Sequence, residues 1–540
     1  MPKRIILIGA DEPGLNGVLE YKRSHPDTEA VVLYPELNPL SEFSCMTLDR
    51  FLGHGIDFPE NLRAYGIDTN KKIVRVRDNF NSQESELAYD VLIFASGSAP
   101  KQLDVPGEFL GGIFAVGDYE DAARLRAKEG VNVIVGNGMN VLMAASSLLT
   151  SQKGTIEVIT RNGKSEDEPL SESLTTMVRH HLTELGVIFH DDDTLSAIEG
   201  KKKAERVVTD KQTIKDARVI NASANVPVSY LAAEAGIELD QNGGIKVDAS
   251  LRTSNPDIFA CGSCASFVCP SCKHPIPGIS IKNTERRQAS VIASSLAGDS
   301  QDFTPPVFAY SIPLGDLRIA GAGLTLAQAS KCGFSPMSAT VVQFDRAHFM
   351  PDAELMTLEL IFDSKTGRVL GIQGLGNSGD GLCGRISAVA AILASKPSVE
   401  DIANLEIAYS PPFASALDVL NTVGNVAENI MAGENEGINA DEFDRIWDER
   451  ENGECFFLDC REIGNAEPFI QRHPLHWNHI PQGEIARRIT EIPQDRKIIL
   501  LCNTGARSYE AQVTLKHAGF DDVANVDGGI AAIKQSGVKV

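Results

Sequence analysis

Three groups of cysteines in this chain have neighbours that bear on chemistry. The densest reads Cys261-Gly-Ser-Cys264-Ala-Ser-Phe-Val-Cys269-Pro-Ser-Cys272-Lys-His274. Two C-x-x-C pairs with four residues between them gather four sulfurs, a donor set that suits tetrahedral Zn2+ or an iron–sulfur cluster. The gap between the pairs is shorter than in ordinary zinc ribbons, and the same residues also suit a redox dithiol or plain buried thiols. A second cysteine opens Cys502-Asn-Thr-Gly505-Ala-Arg507-Ser508. It follows the apolar run Ile498–Leu501 and precedes a helix-like stretch, so successive backbone N–H groups and the positive end of a helix would face its sulfur. Such a setting stabilises a thiolate and its persulfide, and Arg507 adds a grip on an anionic sulfur donor. The third, Cys45, has no C-x4-C partner. It cannot close an internal disulfide; it can cycle between thiolate and a mixed disulfide or persulfide with a small thiol, or be a buried structural residue.

The elements that must position these residues are legible as a rhythm. Up to about residue 320, short β-branched runs (Arg4–Ile8, Ala30–Leu33, Val91–Ala95, Val131–Val135, Ile156–Thr160, Val219–Asn221, Asp257–Ala260) alternate with helix-like stretches. That alternation predicts α/β units with parallel sheets. Two runs lead into glycine-bearing turns that precede helices. In the first, Gly9 suits a tight strand-to-helix turn and Gly14 close helix–strand packing, but Asp11 stands where the middle glycine of G-x-G-x-x-G belongs. The acid expected at the end of the second strand is displaced to Glu36. In the second turn Gly136 and Gly138 are in place and Val141 replaces the last glycine; Arg161, after the next strand, favours a 2′-phosphate and so NADPH. Beyond residue 320, Val341–Phe344, Thr357–Phe362 and Arg368–Gln373 predict strands and Ile386–Ala394 a helix of a mixed α+β unit. A polar, glycine-bearing stretch around 432–440 predicts a linker to a small C-terminal α/β domain.

Composition limits the partners. The chain has 540 residues, with 50 Lys+Arg against 73 Asp+Glu and a formal charge of −23. So acidic a chain predicts no nucleic-acid binding and no attraction to an anionic membrane. No apolar run is long enough to span a bilayer, and the start runs straight into a strand with no room for a cleavable signal, which together predict a cytoplasmic protein. Ten cysteines are too few for a disulfide scaffold and are better read as reactive thiols or ligands.

Several stretches carry a family resemblance. Leu92-Ile-Phe-Ala-Ser96-Gly97-Ser-Ala-Pro100 resembles the crossover segment of two-dinucleotide flavoproteins; Gly243–Asp248 and Arg252–Ala260 resemble the return to their flavin domain. Ser44-Cys45, with Leu48 and Phe51-Leu-Gly53, resembles the single-cysteine site of coenzyme A-disulfide and NAD(P)H-dependent persulfide or polysulfide reductases. Tyr409-Ser-Pro-Pro-Phe-Ala-Ser-Ala416 is similar to that family's dimerisation motif. Residues 441–540 resemble a rhodanese, through Asp459-Cys-Arg-Glu462, His479-Ile-Pro481, Gly528-Gly529 and the Cys502–Arg507 loop. The resemblance implies two Rossmann-like domains, an FAD-binding one (1–112 and 245–320) and an NAD(P)-binding one (113–244). A dimerisation domain (321–431) and a rhodanese domain (441–540) would follow. It implies FAD held by Gly9, Gly14, Glu36, Ser96, Gly97, Gly262 and Ser263, and NAD(P)H held at Gly136, Gly138 and Arg161. It further implies coenzyme A as a thiol carrier, a homodimer, and a small sulfur substrate handled by Cys45 with Tyr409 supplied from the other subunit. Where the family has an Asp for the flavin ribityl chain this chain has Ser263, and Ser44 replaces an Asn. A rival reading keeps only the rhodanese site active, on a body that has lost its cofactor or carries an iron–sulfur centre at Cys261, Cys264, Cys269 and Cys272.

Overall fold

The computed structural model describes residues 2–35, 51, 53–117, 122–123, 125, 129–151, 153–160, 168–269, 275–277, 282–299 and 301–540. Glu36, Cys45, Arg161 and Cys272 lie outside these residues.

The chain opens with β1 (Arg4–Ile8), α1 (Glu12–Ser24) and β2 (Glu29–Pro35), and β3 (Val91–Phe94) pairs on the far side of β1. All three strands are parallel, with Ile8 level with Leu33 and with Phe94. Isoleucine and leucine fill β1 on both faces, as a strand covered on both sides requires; Ile5 to Ile8 are wholly buried. Between β2 and β3 the chain makes an antiparallel excursion, Leu62–Asp68, Ile73–Asp78 and Glu84–Ala88.

A second parallel unit is inserted next: β4 (Val131–Gly136), α2 (Met139–Ser151), β5 (Thr155–Thr160), α3 (Glu172–Glu184) and β6 (Ala217–Ala222). β4 is central, paired with β5 and β6. The chain then returns to the first sheet as β7 (Ile258–Ala260), beside β3, and α4 (Lys282–Ala297) packs on α1.

The third unit is a five-stranded antiparallel sheet: β8 (Tyr310–Leu314), β9 (Leu317–Gly323), β10 (Pro336–Phe344), β11 (Leu355–Asp363) and β12 (Val369–Gly376), in the order 8-9-12-11-10. α5 (Gly379–Leu393) and α6 (Val419–Met431) cover it. Arg385 on α5 clamps Asp418, the residue that caps α6, at 2.6 Å, with both side chains nearly fully buried. The same guanidinium donates to the carbonyls of Asp345 at 2.7 Å and Gly381 at 3.0 Å. Removing one partner of a buried pair strands the other's charge, so Asp418→Ala is expected to cost the unit about 3–5 kcal/mol in urea denaturation.

The last unit is a five-stranded parallel sheet. Its strands are β13 (Gly437–Ile438), β14 (Cys455–Asp459), β15 (Trp477–His479), β16 (Lys497–Leu501) and β17 (Val523–Val526), with β14 and β16 adjacent. α7 (Ala506–His517) follows β16, and α8 (Gly529–Gln535) follows β17. This unit is seated on the rest of the chain. Thr357 Oγ1 donates to Gln535 at 2.9 Å, and Thr176 Oγ1 to Asp441 at 3.4 Å. A Cβ at Gly528 would meet Val342 at 2.6 Å, and one at Gly537 would meet the His180 ring at 2.5 Å.

Candidate active sites

The first glycine turn links β1 to α1. Gly9 has φ +90°, and a Cβ there would lie 2.3 Å from the Ala95 carbonyl, so only glycine lets β1 and the β3 exit approach this closely. Asp11 stands at the N-cap of α1, yet its carboxylate makes no capping bond to the helix. It crosses instead to the turn after β7, where Ser263 N–H donates to Oδ2 at 3.2 Å and Ser263 Oγ lies at 3.5 Å. A Cβ on Gly262 would sit 2.2 Å from that carboxylate, and one on Gly97 3.0 Å. The Gly262 N–H donates to Gln288 Oε1 on α4 at 2.7 Å. Ser96 Oγ donates to the Val228 carbonyl.

The second turn links β4 to α2. A Cβ at Gly136 would lie 2.1 Å from the Ala222 carbonyl on β6. Gly138 has φ +69° directly before α2. Asn140 Nδ2 ties α2 to the Ser223 carbonyl at 2.7 Å. A cleft opens here, lined by Gly136, Gly138, Thr160, Arg179 and Phe189. Backbone N–H groups at the start of a helix beside such a cleft suit a pyrophosphate.

In the C-terminal unit β16 delivers Cys502 to the start of α7. Gly505 N–H donates to the sulfur at 3.1 Å and Ser508 Oγ lies 3.3 Å from it. The loop is held from behind: Ile530 and Ala531, at the start of α8, donate to the carbonyls of Cys502 at 2.8 Å and Asn503 at 2.9 Å. Arg507 lies half-buried on the first turn of α7. Beneath the loop Arg461 and Asp459 form a buried pair at 2.6 Å, and Trp477 Nε1 donates to the same carboxylate at 3.0 Å. Cys460 is buried, and its thiol is pushed well above the usual range by burial, then by Cys502 and Asp459.

Residues 7–291 match the family described as pyridine nucleotide-disulphide oxidoreductase. The chain belongs to that family. Residues 311–420 match the family's dimerisation domain, and residues 438–536 a rhodanese-like domain. The chain is 28% identical over 453 residues to the CoA-dependent NAD(P)H sulfur oxidoreductase of Pyrococcus furiosus, an alignment covering 78% of this chain and 99% of that protein. The structure of an NAD-dependent persulfide reductase from A. fulgidus superposes with a TM-score of 0.83 at 25% identity, covering 98% of this chain and 99% of that one. An FAD-dependent pyridine nucleotide-disulphide oxidoreductase from Desulfovibrio vulgaris gives a TM-score of 0.66 at 31% identity, over 79% of this chain and all of that one.

Membership in this oxidoreductase family implies FAD and NAD(P)H as cofactors. The strand–glycine–helix turn is of the kind that receives a pyrophosphate: Gly9 and Gly14 let it pack on Ala95, and Gly97 and Gly262 lie against the Asp11 carboxylate. Of the four clustered cysteines, Cys261, Cys264 and Cys269 lie among the described residues. Cys261 follows β7 and Cys264 closes the short turn after it; both are wholly buried, and both sulfurs face the Phe94 carbonyl, at 3.8 and 3.5 Å. Burial raises the Cys261 thiol well above the ordinary range, helped by Cys264 and Asp11, and raises Cys264 to about 11. Cys269 is buried, and among the described residues no group of three or more His, Cys, Asp or Glu is arranged to hold a metal ion. The third unit leaves Tyr409, Phe413 and Leu417 between 54% and 76% exposed. Their segment is pinned by Ala347 N–H to the Pro411 carbonyl at 3.1 Å and by Ser415 Oγ to the Arg346 carbonyl at 3.0 Å.

Sequence reasoning singled out Gly9, Gly14, Ser96, Gly97, Gly262 and Ser263 for one site, and the structure gathers them at one end of β1, β3 and β7. It overlooked Gln288 and the reach of Asp11, whose signal was only the acid in a glycine's place. Among the described residues no helix is long and apolar enough to cross a membrane.

Proposed function

We propose that this oxidoreductase uses NAD(P)H to reduce a small-molecule persulfide, polysulfide or coenzyme A disulfide, and that its rhodanese domain carries sulfane sulfur on Cys502. The observation that carries the reading is the Cys502 loop, with its N–H and O–H donors on the sulfur, on the same chain as two glycine turns of the dinucleotide kind. The named relatives align with the body and not only with the rhodanese, which favours this reading over a scaffold whose rhodanese alone is active.

At Cys502 the thiolate attacks the outer sulfur of a donor; the donor's remaining thiolate or sulfite leaves, and a Cys502 persulfide remains. Its anion is held by the Gly505 N–H and the Ser508 hydroxyl. At Cys45 the thiolate attacks the R-bearing sulfur of R–S–SH. Hydrosulfide leaves and a Cys45–S–S–R disulfide forms. Two electrons and a proton then return the Cys45 thiolate and release RSH. In sum, one R–S–SH, one NAD(P)H and one proton give RSH, hydrogen sulfide and NAD(P)+. Flavin, when bound, supplies the relay between the two-electron hydride and the sulfur. The exposed Tyr409, Phe413 and Leu417 form the face through which two copies join, and Tyr409 crosses that face to donate a hydrogen bond to the leaving thiolate. Coenzyme A is the thiol carrier, and the site works inside the cell.

The test is Cys45→Ser. Persulfide-dependent NAD(P)H oxidation is expected to fall by at least about 100-fold, while transfer of sulfur from thiosulfate to cyanide stays within about twofold. Reductase turnover that survives the substitution removes Cys45 from the reaction.

A further inference from the structure

Asp11 is an unusual N-cap. An aspartate in that position ordinarily bonds the free N–H groups of its own helix, and this one does not. Its carboxylate is spent on the opposite lip of the cradle, beneath Gly97 and above Gly262, on the Ser263 N–H. The next donor along, Gly262 N–H, is taken by the buried Gln288. Backbone N–H groups at a glycine turn beside a helix start are the groups that receive a phosphate anion. One such donor, the Ser263 N–H on the Gly262 turn after β7, is already met by the side-chain anion of Asp11.

We infer that the Asp11 carboxylate is a tethered occupant of the seat for the dinucleotide pyrophosphate, so that flavin binds only by displacing it and is held as an exchangeable ligand. Charge and space act in the same direction. A pyrophosphate brings two negative charges to a site that holds one, and it needs the volume over Gly262 that the carboxylate fills. The neighbouring acids Glu12 and Glu285 both reach Lys282, at 3.2 and 3.3 Å, and the Asp11 carboxylate lies between Gly97 and Gly262. The inference rests on the proposal of a flavin-dependent reductase, and it concerns affinity and not turnover.

The experiment measures FAD binding to apoprotein by the quenching of flavin fluorescence, for the wild-type full-length chain and for Asp11→Gly, Asp11→Asn and Glu20→Gln. Asp11→Gly restores the glycine of the turn and is expected to tighten FAD at least tenfold. Asp11→Asn removes the charge, keeps the shape, and is expected to tighten it in the same direction; it decides the matter if the glycine variant does not fold. Glu20→Gln, an exposed charge on the same helix, is expected to leave the affinity within twofold. A Kd in the folded Asp11 variants no lower than wild type, including no binding by any of them, overturns the inference. Tight flavin binding by Asp11→Gly without persulfide reduction by any variant leaves it standing and overturns the reductase reading instead.

Discussion

Cys502→Ser is expected to abolish sulfur transfer from thiosulfate to cyanide, with kcat/KM lower by at least about 1000-fold. The expectation follows from what surrounds the sulfur. Cys502 is almost fully buried, and its Sγ has a backbone N–H at 3.1 Å and a hydroxyl at 3.3 Å. Such donors favour a sulfur anion, and a serine hydroxyl is a far weaker acid and nucleophile than a thiol. Oxygen also cannot hold the transferred sulfur as a persulfide. The substitution is nearly isosteric, so the melting temperature should stay close to wild type and persulfide-dependent NAD(P)H oxidation through Cys45 should continue. Residual sulfur transfer above a few per cent would place the carrier elsewhere.

The second large effect is a pH dependence of stability centred on Asp527. This carboxyl, next to the Gly528–Gly529 turn, is half-buried and closely packed: a Cβ on Gly437 would lie 2.3 Å from its Oδ1. Burial raises its pKa from 3.8 to about 8, assisted by Glu359 from β11 and Glu442 from the rhodanese domain. Glu359 is itself raised by burial and receives the Ser171 hydroxyl. The folded chain therefore keeps a proton that the unfolded chain has released above about pH 4. This contribution to stability is greatest below that pH, declines as the pH rises towards 8, and levels off once both states are ionised. The decline over this range is expected to be on the order of a few kcal/mol. Asp527→Asn, neutral throughout, should remove most of the decline and raise the melting temperature at pH 8. The two sets of melting curves, taken between about pH 5.5 and 8.5, check this; equal slopes in both proteins would show that Asp527 is not the titrating group.

How much of this was legible beforehand depended on how local the determinants are. The β1 turn and the Cys502 loop each lie within about ten residues, and their residues are placed as the pattern predicts. The helix predicted from Ile386 begins at Gly379; three glycines in its first turns, at 379, 381 and 384, hide the start. The antiparallel excursion of Leu62–Ala88 was not anticipated, because its last strand is almost wholly exposed and lacks an alternating apolar face. The cysteine spacing left a ligand set, a redox dithiol and buried thiols open, and the partner that Cys261 and Cys264 face, the Phe94 carbonyl, stands 167 and 170 residues away. The bond from Ser263 to Asp11 spans 252 residues. Contacts of that kind leave no periodic trace.

The seat of the rhodanese domain has a consequence for traffic. The domain is fastened by Gln535 and Asp441 and by contacts so close that Gly528 and Gly537 admit no side chain. A module anchored at both ends of its last helix and through Asp441 on the helix Ala440–Asp448 does not sweep out a volume on a flexible arm. Cys502 is thus a stationary berth: the cargo moves and the dock does not, and whatever leaves with the sulfur must be small enough to diffuse away on its own.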